Sequence, residues 1–92
     1  MFVGCLKADI FIPYSRSLKD KRRVIRRIKQ KVHNNFNVSV AEKPSDKWQM
    51  CELSFVCVNY TKDFVDKTIS SVEEFISLDR DVQLVGIKIN II

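Results

Sequence analysis

The chain has 92 residues, 46% of them hydrophobic and 29% charged, with a formal net charge of +5. At roughly 100 to 200 residues per domain this is one domain, and a chain this short buries roughly 60 to 65% of its unfolded surface, so its apolar residues must serve a single compact arrangement. Two glycines and two prolines exclude collagen-like, linker-rich and low-complexity chains, and the balance of apolar and charged residues excludes disorder. No apolar run approaches the roughly 18 residues of a membrane span, so no membrane partner is expected. The first residues lack a basic segment followed by a clean apolar one. Three cysteines form an odd set without a disulfide-framework spacing, and together these features predict a cytoplasmic protein.

From Phe2 to Ile12 the pattern alternates, with Phe2, Leu6, Ala8, Ile10 and Ile12 on one side and Lys7 and Asp9 on the other, which predicts a strand. Pro13 ends it, having no N–H to donate. Ser17 followed three residues later by Asp20 is a helix start of capping-box type. Leu18, Val24, Ile25, Ile28 and Val32 then recur at helical spacing, and Asn34 and Asn35 supply a stop. Phe36 to Glu42 reads as a second strand with Val38 and Val40 facing in, and Lys43 to Asp46 as a turn. A third strand from Trp48 to about Asn59 turns Cys51, Leu53, Phe55 and Cys57 inward. Thr61 caps a second helix carrying Phe64, Val65, Ile69, Val72, Phe75 and Ile76 on one side, and a last strand from Val82 to Ile91 turns Val85, Ile87, Ile89 and Ile91 inward.

Strand, helix, strand, strand, helix, strand, joined by two right-handed crossovers around a hairpin, predicts an α+β fold: the ferredoxin-like βαββαβ sandwich, a four-stranded antiparallel sheet with both helices on one face. The other face is then bare and carries Lys7, Asp9, Ser39, Ala41, Met50, Glu52, Ser54, Val56, Val58, Lys88 and Asn90.

Charge is concentrated in one place. Arg16 to His33 holds nine Lys and Arg against one Asp, a balance of +8, which leaves −3 for the remainder. On a helical wheel, Val24, Ile25, Ile28 and Val32 fall within about 120°, an ordinary core stripe. Arg22, Lys29 and His33 border it, Arg26 and Lys19 follow, and Arg23, Arg27 and Lys31 continue round the outer face. Lys21 falls inside the apolar arc and must snorkel or find a partner. Like charges at helical spacing repel by a few tenths of a kcal/mol per pair, so a face of one sign predicts a phosphate-binding surface, with a merely solvated face as the plain alternative. The expected contacts are Arg16, Lys19, Lys21, Arg22, Arg23, Arg26, Arg27, Lys29 and Lys31, with Lys47 adjoining them. The third strand offers no stacking ring in the middle of the bare face, which argues against base recognition there and for backbone contacts with little sequence preference.

Other chemistry has little support. Gly4 and Gly86 lie within strands and form no phosphate-cradling loop; they mark close packing. Cys51 and Cys57 are roughly 20 Å apart along an extended strand, and Cys5 projects to the other face, so all three read as small hydrophobes and neither metal nor cofactor is expected. His33 reads as a solvated surface histidine. Asp9 and Glu52 can approach each other on the bare face, the one arrangement acid–base chemistry would want, but the neighbouring lysines make ion pairing the simpler reading. No enzyme is predicted. Met50, Val56 and Val58 on the bare face, with Ile89 and Ile91 at the last strand's edge, predict a homo-oligomer contact.

Three stretches resemble a known family. Ser17 to Arg23, Phe36 to Glu42, and Trp48, Gln49, Glu52 and Leu53 are similar to the YlxP-like family, DUF503, and the resemblance covers nearly the whole chain. It implies a ferredoxin-like fold and a small bacterial cytoplasmic protein. Because members are often encoded beside translation-initiation and ribosome-maturation genes, it also implies ribosomal or other structured RNA as a partner. It brings no catalytic residues, and its basic motif falls on Lys19, Lys21, Arg22 and Arg23. The function expected is therefore RNA binding through the basic helix, with a homo-oligomeric scaffold or small-ligand domain using the bare face as the alternative.

Overall fold

The computed structural model describes residues 1–92. Its elements are β1 (Phe2–Phe11), α1 (Leu18–Asn35), β2 (Ser39–Glu42), β3 (Met50–Asn59), α2 (Lys62–Ser77) and β4 (Gln83–Ile91). At the start of α1, the Ser17 Oγ accepts from the Asp20 N–H at 3.0 Å, and the Asp20 carboxylate accepts from the Arg16 N–H at 2.9 Å. The box thus closes one residue further out than the usual form, in which the acidic side chain reaches the cap residue itself. α2 starts differently from expectation: the Thr61 side chain makes no cap bond. The Asn59 Oδ1 instead accepts from the Thr61 N–H at 3.0 Å and from its hydroxyl at 3.3 Å.

One antiparallel sheet runs in the order β2-β3-β1-β4, the arrangement of the ferredoxin-like sandwich. Ala8 lies opposite Leu53 and Ile87, and Leu6 opposite Phe55 and Ile89. One sheet face therefore meets the helices in a core that includes Leu6, Ile10, Phe55, Ile25, Ile28, Val65 and Ile69. β2 is shorter than predicted because Phe36 leaves the strand path and packs edge-on against Phe75, with ring centroids 5.7 Å apart. Val85 does not face in as expected: the β1–β4 register shifts between Asp9 and Ile10. Gly86 pairs with Asp9 and Leu84 with Ile10, so Val85 is the extra residue of a bulge and is exposed.

Gly4 answers to packing. A Cβ there would lie 2.5 Å from Val65 Cγ1 and 2.9 Å from Ile69 Cγ1, so α2 sits on β1 backbone at that point. No helix is long and apolar enough to cross a membrane.

Candidate nucleic-acid interface

α1 presents its cations in three different situations, decided by what neighbours each. Lys21 is only 2% exposed. Its ammonium donates to the Lys47 carbonyl at 2.8 Å and the Ser45 carbonyl at 3.3 Å. A side chain held this way cannot reach a phosphate, so the expectation that Lys21 binds nucleic acid is corrected: it takes the partner option left open by its place in the apolar arc and fastens the β2–β3 loop to the helix.

Arg27 and Lys29 are occupied by carboxylates. The Arg27 guanidinium donates to Asp79 at 2.6 and 3.0 Å and to Asp81 at 3.0 Å, tying α1 to the α2–β4 loop. The paired geometry raises the Arg27 pKa, chiefly through the Asp79 hydrogen bond, and the same bond lowers that of Asp79. Lys29 reaches the Glu42 carboxylate at 3.1 Å on β2. Both were expected at the phosphate surface, and both are neutralised within the fold.

Arg16, Lys19, Arg22, Arg23, Arg26 and Lys31 are exposed and make no ion pair. Lys19, Arg22, Arg23 and Arg26 alone line a surface depression of about 310 Å³ with no apolar wall. From Lys19 to Arg26 the row climbs about 10 Å at 1.5 Å per residue. Lys31 stands on the other flank beside Leu78, Arg80 and the two paired aspartates. Arg80 is a further exposed cation there that the sequence reading passed over, since it lies on a short loop between two acidic residues.

The bare face is as drawn from alternation. Val58 and Val3 are opposite each other, Val56 is opposite Cys5 and Ser39, and Met50 pairs with Phe11. Between these apolar ends lie Lys7, Glu52, Asp9 and Lys88. Asp9 and Glu52 do meet as direct cross-strand neighbours, and Glu52 forms an ion pair with Lys7 at 3.6 Å. The predicted oligomer residues separate: Met50, Val56 and Val58 occupy this face, whereas Ile89 and Ile91 lie on the helix side, opposite Leu6 and Gly4. They cannot form one patch, because the parity of β4 directs its isoleucines toward α2.

All three cysteines are free, with Cys51 and Cys57 in the core and Cys5 half-buried on the bare face. Burial first, and the Glu42 carboxylate second, push the Cys51 thiol up to about 12; burial raises that of Cys57. Neither thiol is available as a thiolate near neutral pH.

Residues 3–89 match the family described as "Protein of unknown function (DUF503)". The chain is 33% identical over 75 residues to the uncharacterized protein YlxP of Bacillus subtilis (strain 168), covering 80% of this chain and 82% of that protein. Among solved structures it resembles a de novo designed protein with ferredoxin fold determined by solution NMR. The TM-score is 0.52 at 13% identity, over 99% of this chain and 85% of that one.

Proposed function

We propose that this chain, which belongs to the DUF503 family, is a non-enzymatic cytoplasmic protein that binds structured RNA, ribosomal RNA included, through the outer face of α1 in translation or ribosome maturation. The observation that carries the reading is the row Lys19, Arg22, Arg23 and Arg26: four exposed, unpaired cations on successive turns of a helix on which carboxylates neutralise Arg27 and Lys29 and Lys21 is buried. Arg16, just before the helix, and Lys31, on its other flank, are further exposed and unpaired cations. Charges retained against their mutual repulsion have use for an external polyanion, and phosphate contacts position a backbone without reading sequence. Titrating a labelled RNA hairpin at several salt concentrations tests this. With about four to six phosphates neutralised, log affinity falls with log salt at a slope of roughly −3 to −5. Absence of binding at about 0.15 M salt overturns the reading.

The free edge of β4 supports a second reading, self-association. Val3 and Ile92 exchange hydrogen bonds of 2.7 and 2.9 Å, so by antiparallel alternation the backbone groups of Ile87, Ile89 and Ile91 point away from β1. A two-fold pairing about Ile89 joins two copies into one continuous sheet. It sets Lys88 opposite the partner's Asn90 rather than a second lysine.

A further inference from the structure

The bare sheet face lacks a ring in its middle for a base to stack on, yet an exposed ring stands beside the basic helix. Trp48, the only tryptophan in the chain, is 54% exposed. It lies in the β2–β3 loop, outside the strand that the sequence pattern assigned to it.

The backbone on both sides of Trp48 is fastened. Before it, the Lys47 carbonyl accepts from the buried Lys21 ammonium at 2.8 Å. After it, the Gln49 carbonyl accepts from the Ile12 N–H at 2.7 Å, and the Gln49 side-chain amide donates to the Pro13 and Ser15 carbonyls at 3.1 and 3.3 Å. Lys21 is the residue before Arg22, so the same clamp that holds the loop fixes it to the turn of α1 that starts the free cationic row. A large apolar ring kept in water on a backbone tied at both ends loses little freedom when something stacks on it.

The surroundings are suited to an anion. Lys43 and Lys47 in the loop are exposed and make no ion pair, with Asp46 the one acidic residue between them. The second exposed ring nearby, Tyr14, is 79% exposed, but in its cleft the two carboxylates of Asp20 and Asp81 outnumber the one cation, Arg23.

We propose that Trp48 is a stacking platform for an unpaired base of the RNA whose phosphates lie on Lys19, Arg22, Arg23 and Arg26. The inference rests on the RNA-binding reading and sharpens its ligand to a paired stem next to an unpaired nucleotide, since a base within a duplex has no free face to offer.

The test compares two labelled RNAs of equal length, one fully paired duplex and one hairpin with an unpaired loop, by anisotropy and by Trp48 emission. Expected are quenching of Trp48 by the hairpin, and a loss of about 5- to 150-fold in hairpin affinity for Trp48→Ala. Duplex affinity should stay within about twofold, and Trp48→Phe should fall between; circular dichroism checks that each variant is folded. If both RNAs bind but Trp48→Ala matches wild type and the emission does not move, the stacking inference fails and the phosphate reading stands. If neither RNA binds, both fail.

Discussion

Lys21 shows how one residue can be misread by class and still be placed by position. A lysine in a basic run suggests a phosphate contact, but its angle within the apolar arc put it against the core, and it is buried with two carbonyls as its acceptors. Lys21→Met keeps much of the stem's packing and removes both bonds. The expected cost is about 1 to 3 kcal/mol in urea unfolding, and Trp48 emission should shift as its loop is released. Stability equal to wild type would show that the clamp contributes nothing. Asp79 gives a pH-dependent counterpart. Its carboxylate is held below the usual range, first by the Arg27 hydrogen bond. A depressed native pKa contributes stability that is fully present above the unfolded value of about 3.9 and is lost as pH falls through the native one. Asp79→Asn should therefore be less stable than wild type by about 1 to 2 kcal/mol at pH 7, with the gap narrowing as pH falls below that unfolded value. A gap that stays the same size in acid contradicts the ion-pair account.

At the scale of elements, the order and type of all six were legible, and so was their facing apart from Val85 on β4 and Phe64 on α2, which are exposed, because periods of two and of 3.6 are local properties of the chain. The bulge at Val85 was not, since it arises where β4 must pair with Asp9 and Ile10, a relation between residues more than seventy positions apart. The same limit governs the site. The sequence marked α1 as basic, but which cations stay free depends on Asp79, Asp81 and Glu42, which reach the helix only through the fold. Trp48 was likewise read as the first residue of a strand; its exposure follows from the Lys21 and Gln49 ties, none of which is a short-range pattern.

Two surfaces proposed for binding do not overlap on the whole molecule: the cationic face of α1, and the free sheet edge of β4. Association through that edge leaves α1 clear, because α1 links β1 to β2, which stands at the opposite edge of the sheet from β4. The mass in solution is expected to be twice the 10.8 kDa of one chain. Ile89→Lys places like charges face to face at the two-fold and should give monomers, while Val56→Glu, on the bare face, should leave the dimer intact. A monomeric wild type in light scattering at micromolar concentration contradicts the edge-pairing model, and dissociation by Val56→Glu alone moves the contact to the bare face.

The central claim is that the outer row of α1, and not overall charge, holds RNA. It is tested most directly by measuring hairpin affinity at about 0.15 M salt for two double variants with the same change in net charge: Arg22→Glu with Arg26→Glu on α1, and Lys62→Glu with Lys67→Glu on α2. The account predicts a loss of at least about tenfold for the α1 pair, equivalent to about 1.4 kcal/mol, and little change for the α2 pair. Equal losses in the two would contradict it and reduce the row to a solvated face.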